Sequence, residues 1–220
     1  MKAVVFDMDG VIFDTERAVI EVWKEVASRH GIPNIEYYCR ECTGVTAVAA
    51  RQKFKEIYGD IYSYDELRAE KTGMVMDRFR KGLIDIKPGV HTIMETLKEN
   101  NILIALASST RRAAVIEELT MTGLIEYFDE IITGDMVTNS KPAPDIFIRA
   151  CDELGVAPQD AVGIEDSYNG IISSHNAGLY TIMVPDLLEP TEEIRQMADY
   201  IAEDLYEALK IIMERINNGC

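Results

Sequence analysis

Two aspartates, Asp7 and Asp9, stand at the end of the apolar run Val4-Val5-Phe6, with Gly10 directly behind them. Three later apolar runs end in reactive groups too. ILIALA (102–107) ends in Ser108-Ser109-Thr110. EYFDEIIT (126–133) is followed by Gly134-Asp135 and then Ser140-Lys141-Pro142, and DAVGI (160–164) by Glu165-Asp166-Ser167. Carboxylates delivered from two such ends repel one another unless a cation lies between them, and hard oxygen ligands with room for water and phosphate suit Mg²⁺. A lysine and a hydroxyl at the same place would hold phosphate oxygens, aided by backbone N–H groups at the start of the helix after Ser108. Phosphoryl transfer needs a nucleophile, a metal, a cation for the equatorial oxygens and an acid for the leaving group. A carboxylate can itself be the nucleophile.

These side chains meet only if the runs are strands of one sheet. Helical patterns at 90–100, 111–122, 144–154, 167–177 and 204–217 alternate with the short apolar runs, and YTIMV (180–184) is a further strand. That alternation predicts a parallel sheet with helices on both faces. In open sheets of this kind ligands bind at the carboxyl ends of the strands, so one rim receives acid, hydroxyl, lysine and acid. Between the first strand and the rest, helices are expected over Thr15 to His30 (closed by Gly31), Thr46 to Tyr58 (before Gly59) and Ser63 to Lys81 (before Gly82). No strand is expected from Asp14 to Asp85. The predicted organisation is a Rossmann-like α/β core from 1–14 and 83–220, with a small helical-bundle cap inserted at 15–82.

Composition narrows the partners. Lys and Arg number 22 and Asp and Glu 38, a net charge of −16, which repels nucleic-acid phosphates and anionic lipid. No signal peptide and no apolar run near the roughly 18 residues of a membrane span is visible. Cys39 and Cys42 form CREC, but no second pair completes a zinc site. With Cys151 and Cys220 they read as reduced thiols of a cytoplasmic protein. A monomer is expected, with a frayed tail from Asn217 to Cys220.

The stretch DMDGVIFDT resembles the DxDGxxxDT signature of the haloacid dehalogenase superfamily of phosphotransferases. LASS (106–109), SKPAPDIF (140–147) and GIEDSYNGI (163–171) follow in the order of its other motifs. A helical insertion directly after the first motif resembles the type 1 cap subfamily, which includes β-phosphoglucomutase and phosphoglycolate phosphatase. The resemblance implies Asp7 as nucleophile and Asp9 as general acid/base. It implies Mg²⁺ on Asp7, the backbone carbonyl of Asp9 and Asp166, with Glu165 bound directly or through water. Ser108 and Ser109 would bind phosphate oxygens, Ser108 also capping the next helix. Lys141 would pair with phosphate and with Asp7. Asp14 and Thr15 would brace the loop, Thr15 counting among the phosphate-binding set. Asp135 and Asp160 read as loop acids, and His30, His91 and His175 as structural. Trp23 and Met74-Val75-Met76 read first as helix packing, a substrate-facing role being the alternative.

Choice of ester should be written in the cap. β-Phosphoglucomutases carry a histidine in the first cap helix and an arginine that grips the sugar's second phosphate; Val19 and Ala47 stand in the corresponding places. Lys71 lies near the position of a cap lysine, and Arg51, one helical turn beyond Ala47, could substitute for the lost arginine. A mutase must hold a bisphosphate by both ends, whereas hydrolysis needs only water. The expected function is therefore a Mg²⁺-dependent phosphatase of a small phosphomonoester such as a sugar phosphate, through an aspartyl phosphate on Asp7. A β-phosphoglucomutase-type mutase is the alternative, and a receiver-like phosphoacceptor module a third, disfavoured by Asp9 and the cap.

Overall fold

The computed structural model describes residues 1–217, the Asn217 side chain excepted; the rest of the tail expected to fray lies outside them. Two compact units emerge, Met1–Phe13 with Ile86–Cys220, and Asp14–Asp85. Along the chain, β1 (Ala3–Phe6) enters the second unit's helices α1 (Thr15–His30), α2 (Ile35–Cys42), α3 (Ala47–Tyr58) and α4 (Tyr64–Arg80). There follow α5 (Val90–Glu99), β2 (Leu103–Ser108), α6 (Arg112–Thr122), β3 (Glu130–Thr133), α7 (Asp145–Leu154) and β4 (Ala161–Glu165). The chain ends through α8 (Tyr168–Ala177), β5 (Tyr180–Met183), α9 (Glu192–Met197), β6 (Tyr200–Ile201) and α10 (Leu205–Asn217).

The first unit holds a six-stranded sheet in the order β3-β2-β1-β4-β5-β6, each adjacent pair parallel. Ala3 and Val5 of β1 pack with Ile146, Phe147 and Ala150 of α7. Val4 and Phe6 point to the opposite face and are equally sealed. Both faces are covered, which is why the strands read as unbroken apolar runs. Phe6 pairs with Leu106 on one side and Ile164 on the other. The next residues, Asp7, Ala107 and Glu165, therefore form one row along the rim.

The second unit contains helices and no strand among its described residues. Its two ends are tied where the Asp14 N–H donates to the Asp85 carbonyl at 2.9 Å, so this unit takes in Asp14 and residues 83–85, which the sequence reading gave to the core. An aromatic cluster fills it. Tyr38 on α2 lies edge-on to Trp23 and to Phe54, with centroids 5.5 and 5.2 Å away, and Phe54 meets Tyr58 at 4.7 Å and Tyr64 at 5.2 Å. Edge-to-face pairs add roughly 0.5–1.5 kcal/mol each beyond area burial, enough to matter in a small bundle.

Four elements depart from expectation. α2, eight residues with a left-handed Asn34 at its start, was not expected; IEYYCREC is too short and polar to announce a helix. EYF (126–128) is not strand: a 3₁₀ turn covers Ile125–Tyr127 and β3 begins at Glu130. The Asp129 carboxylate accepts from the Ile104 N–H at 2.8 Å just before that start. α9 and the two-residue β6 are too short for periodicity to reveal. Among the described residues no helix is long and apolar enough to cross a membrane.

One charge lies in the core. Glu118 on α6 is buried, and its Oε2 lacks a hydrogen-bond partner. Burial pushes its carboxyl from 4.5 up to about 8, and the Asp9 and Glu117 charges add to the rise. The native state then binds more protons than the unfolded chain between those two values. Stability accordingly falls as pH rises through that window and levels off above it. Glu118→Gln does not titrate. Its Tm is expected to match wild type near the bottom of the window and to exceed it by ~5 °C above pH 8 for a penalty on the order of 2 kcal/mol. Thermal melts across pH check this, and a difference independent of pH would refute it.

Candidate active site

Lys141 sits at the centre of the rim. Its Nζ donates to Asp7 Oδ1 at 2.5 Å, to Glu165 Oε1 at 2.5 Å and to the Ala107 carbonyl at 2.8 Å. The lysine is 6% exposed and Glu165 fully buried. Side chains from residues 7, 141 and 165 thus meet directly, and the Ala107 carbonyl is a partner that sequence reasoning missed. All three Lys141 N–H groups are engaged. The phosphate contact expected of it requires one partner to be released.

Asp166 completes the acidic group. Carboxylate oxygens of Asp7, Glu165 and Asp166 lie within 4.8 Å of one another. Two glycines make that approach possible. Gly10 has φ +83°, and a Cβ there would stand 2.2 Å from Asp166 Oδ2; at Gly170 on α8 it would meet the Glu165 carboxyl at 1.8–2.1 Å. Glu165 Oε2 accepts from the Asp166 N–H at 3.1 Å, the Ser167 N–H at 3.2 Å and the Ser167 hydroxyl at 3.1 Å. One Glu165 oxygen thus serves Lys141 and the other the start of α8.

Burial pushes the Asp7 carboxyl well above its ordinary range; Lys141 opposes the rise, while Glu165 and Asp9 add to it. Burial alone would pull the Lys141 ammonium down, but Asp7 and Glu165 outweigh it and keep the lysine charged. Three buried acids therefore share one cation. Clustered hard oxygens with negative charge to spare fit a divalent cation such as Mg²⁺, and Asp7 would be held ionised by it. Asp9 is not part of the carboxylate trio; the contribution expected of it is its main-chain oxygen.

Asp9 is half-buried, and its Oδ2 accepts from the Thr110 hydroxyl at 3.0 Å. Thr110 was only the third residue of a hydroxyl run in the sequence; this contact carries no local signal. Ser108 is fully buried, and its Oγ accepts from the Thr110 N–H at 3.1 Å. It does not cap α6, as expected, because that helix starts at Arg112 with Arg111 before it. Free N–H groups after Ser108 therefore belong to a turn. Ser109 is exposed, and a Cβ on Gly134 would stand 2.4 Å from its carbonyl. Asp135 braces the next loop, accepting from Thr133 Oγ1 at 2.7 Å and the Arg112 N–H at 3.1 Å.

The remaining expected residues belong to the helical unit. Thr15 is buried at the start of α1, its hydroxyl without a hydrogen-bond partner. Lys71 lines a cavity of about 230 Å³ within that unit, as do Val19, Ala47 and Trp23. Trp23 is therefore both bundle core and cavity wall. Arg51 does not line that cavity: it is exposed, pairs with Asp65 and lies over the Tyr64 ring. Arg68, which sequence reasoning passed over, does line it. Cys39 and Cys42 are free, and burial pushes the Cys39 thiol up to about 12, away from reactive thiolate.

Comparison with known proteins places this geometry. The family model described as haloacid dehalogenase-like hydrolase matches residues 4–184. A phosphorylated carbohydrates phosphatase of Thermotoga maritima is 34% identical over 185 residues, 83% of this chain and 84% of that protein. A β-phosphoglucomutase of Bacillus subtilis is 32% identical over 216 residues, 94% of this chain and 95% of that one. Among solved structures, CbbY of Rhodobacter sphaeroides in complex with phosphate superposes with a TM-score of 0.78 at 28% identity, covering 94% of this chain and 96% of that one.

Proposed function

The chain belongs to the haloacid dehalogenase-like hydrolases, and from there we propose that it is a Mg²⁺-dependent phosphatase of small phosphomonoesters, sugar phosphates foremost. The observation that carries the proposal is the meeting of Asp7, Lys141, Glu165 and Asp166 at neighbouring strand ends. Mg²⁺ would be held by Asp7, Asp166 and the Asp9 carbonyl, supplying positive charge to the phosphoryl oxygens. Glu165 would act through water, since its Oε2 already accepts from three donors.

In this reading Asp7 attacks phosphorus. A bond forms from its carboxylate oxygen while the ester P–O bond breaks, and Asp9 gives its proton to the departing oxygen. Water then attacks the acyl phosphate, Asp9 takes its proton, and Asp7 and inorganic phosphate are released. Thr110 holds Asp9 in place for both transfers. Lys141 orients Asp7, and with Ser108 it binds the phosphoryl oxygens. The choice of leaving group falls to the helical unit.

A panel of phosphomonoesters assayed for phosphate release with Mg²⁺ and with EDTA tests the proposal. Release in Mg²⁺, abolished by chelation and restored by added Mg²⁺, is the expected result. The relationship to β-phosphoglucomutases supplies the contrary one. No phosphate release, with β-glucose 1-phosphate converted to glucose 6-phosphate once a bisphosphate primer is present, would replace the phosphatase by a mutase. Val19 and Ala47 in the cavity wall favour hydrolysis, because neither can grip a second phosphate.

A further inference from the structure

We infer that the cavity inside the helical unit binds a second anionic group of the substrate, a carboxylate or further phosphate, with Arg68 and Lys71 as its cations. The inference rests on the phosphatase reading and narrows the class of ester it takes. Arg68 and Lys71 are three residues apart on α4 and so share a helix face; both line the cavity, with Glu16 of α1 the acid in the wall. Two cations thus face one carboxylate. The lining contains no asparagine or glutamine, the rest being aliphatic, aromatic, thiol or threonine. A neutral polyol would find few planar amide or carboxylate partners for its hydroxyls there and would bury them poorly satisfied. A compact anion with an apolar flank meets charge on α4 and hydrocarbon from Val19, Ile20 and Ala50.

Charge distribution points the same way. Residues 14–85 contain 12 basic and 13 acidic residues within a chain of net charge −16. Nearly all the excess negative charge lies elsewhere, so this unit presents the least repulsive surroundings for a dianionic or trianionic substrate. At about 230 Å³ the cavity is smaller than the ~300–1,000 Å³ that holds drug-sized ligands, in keeping with a few carbons and one anionic group. The cation lost at Ala47 is therefore replaced not by Arg51 but by Arg68.

Matched pairs of esters test this: glycerol 3-phosphate against 3-phosphoglycerate, and glucose 6-phosphate against 6-phosphogluconate. In wild type, kcat/KM is expected to favour the acidic member of each pair by about tenfold or more. Arg68→Gln and Lys71→Gln should each shrink that ratio about tenfold, chiefly through KM, as expected for loss of one charge-assisted contact. No acidic preference, or a ratio unmoved in both variants, overturns the inference. Absence of phosphate release from every ester would instead refute the phosphatase reading. Calorimetry on the Asp7→Asn protein separates the two, because it reads binding without turnover. Tighter binding of the acidic member, weakened by Arg68→Gln, supports the cavity assignment, and equal binding of the two members rejects it.

Discussion

Asp7→Asn is expected to cut phosphate release by about 10⁴-fold or more, because a carboxamide cannot form the acyl phosphate on which both half-reactions depend. The fold should survive. Asp7 is one of three buried acids sharing the single cation Lys141, and burial already pushes its carboxyl up. Removing its charge relieves repulsion, while Lys141 keeps Glu165 and the Ala107 carbonyl as acceptors. Without metal, the Tm of the variant should equal or exceed that of wild type. Steady-state assays and melts on the same preparation check both halves. An inactive variant that is also unfolded would say nothing of chemistry, and a variant keeping a tenth of the activity would remove Asp7 from the mechanism.

Lys141→Met should lose both activity and stability. Its hydrocarbon fits the site, but Asp7 and Glu165, each 2.5 Å from Nζ in the native protein, would face one another without a cation. Removing one partner of a buried ion pair costs about 3–5 kcal/mol, or ~6–15 °C in Tm for a chain of this length. Turnover should fall by about 10³-fold, since Asp7 loses its orientation and the phosphoryl oxygens a cation. Lys141→Arg should not rescue, because a planar fork cannot replace a point charge surrounded by three acceptors. Added Mg²⁺ should restore part of the Tm and little of the rate. Full activity in Lys141→Arg would contradict this assignment.

The rim was legible in the sequence because each of its parts is local. A parallel strand buried on both faces is an unbroken apolar run, and the residue that ends the run is bound to reach the rim. Asp7, Ser108 and Glu165-Asp166 could therefore be placed by reading run ends, and the family motifs added Lys141. What bridges distant segments was not legible. The Thr110–Asp9 hydrogen bond and the Ala107 carbonyl on Lys141 depend on strand register, which no single segment encodes. The helical unit was harder still. Which face of α3 or α4 turns to the cavity is decided by how the cluster of Trp23, Tyr38, Phe54 and Tyr64 packs. That packing sends Arg51 to Asp65 and brings Arg68 into the wall. Spacing along one helix cannot distinguish these outcomes.

The central claim is that phosphorus is carried on the side chain of residue 7. Rapid acid quench during the first turnover, followed by borohydride reduction and mass spectrometry of the tryptic peptide 3–17, reads it directly. Reduction of an acyl phosphate leaves homoserine in place of the aspartate. The account predicts that change at residue 7 alone, dependent on Mg²⁺ and absent from Asp7→Asn. Continuous phosphate release with residue 7 unmodified in every quench, or the change found at Asp9, would contradict it.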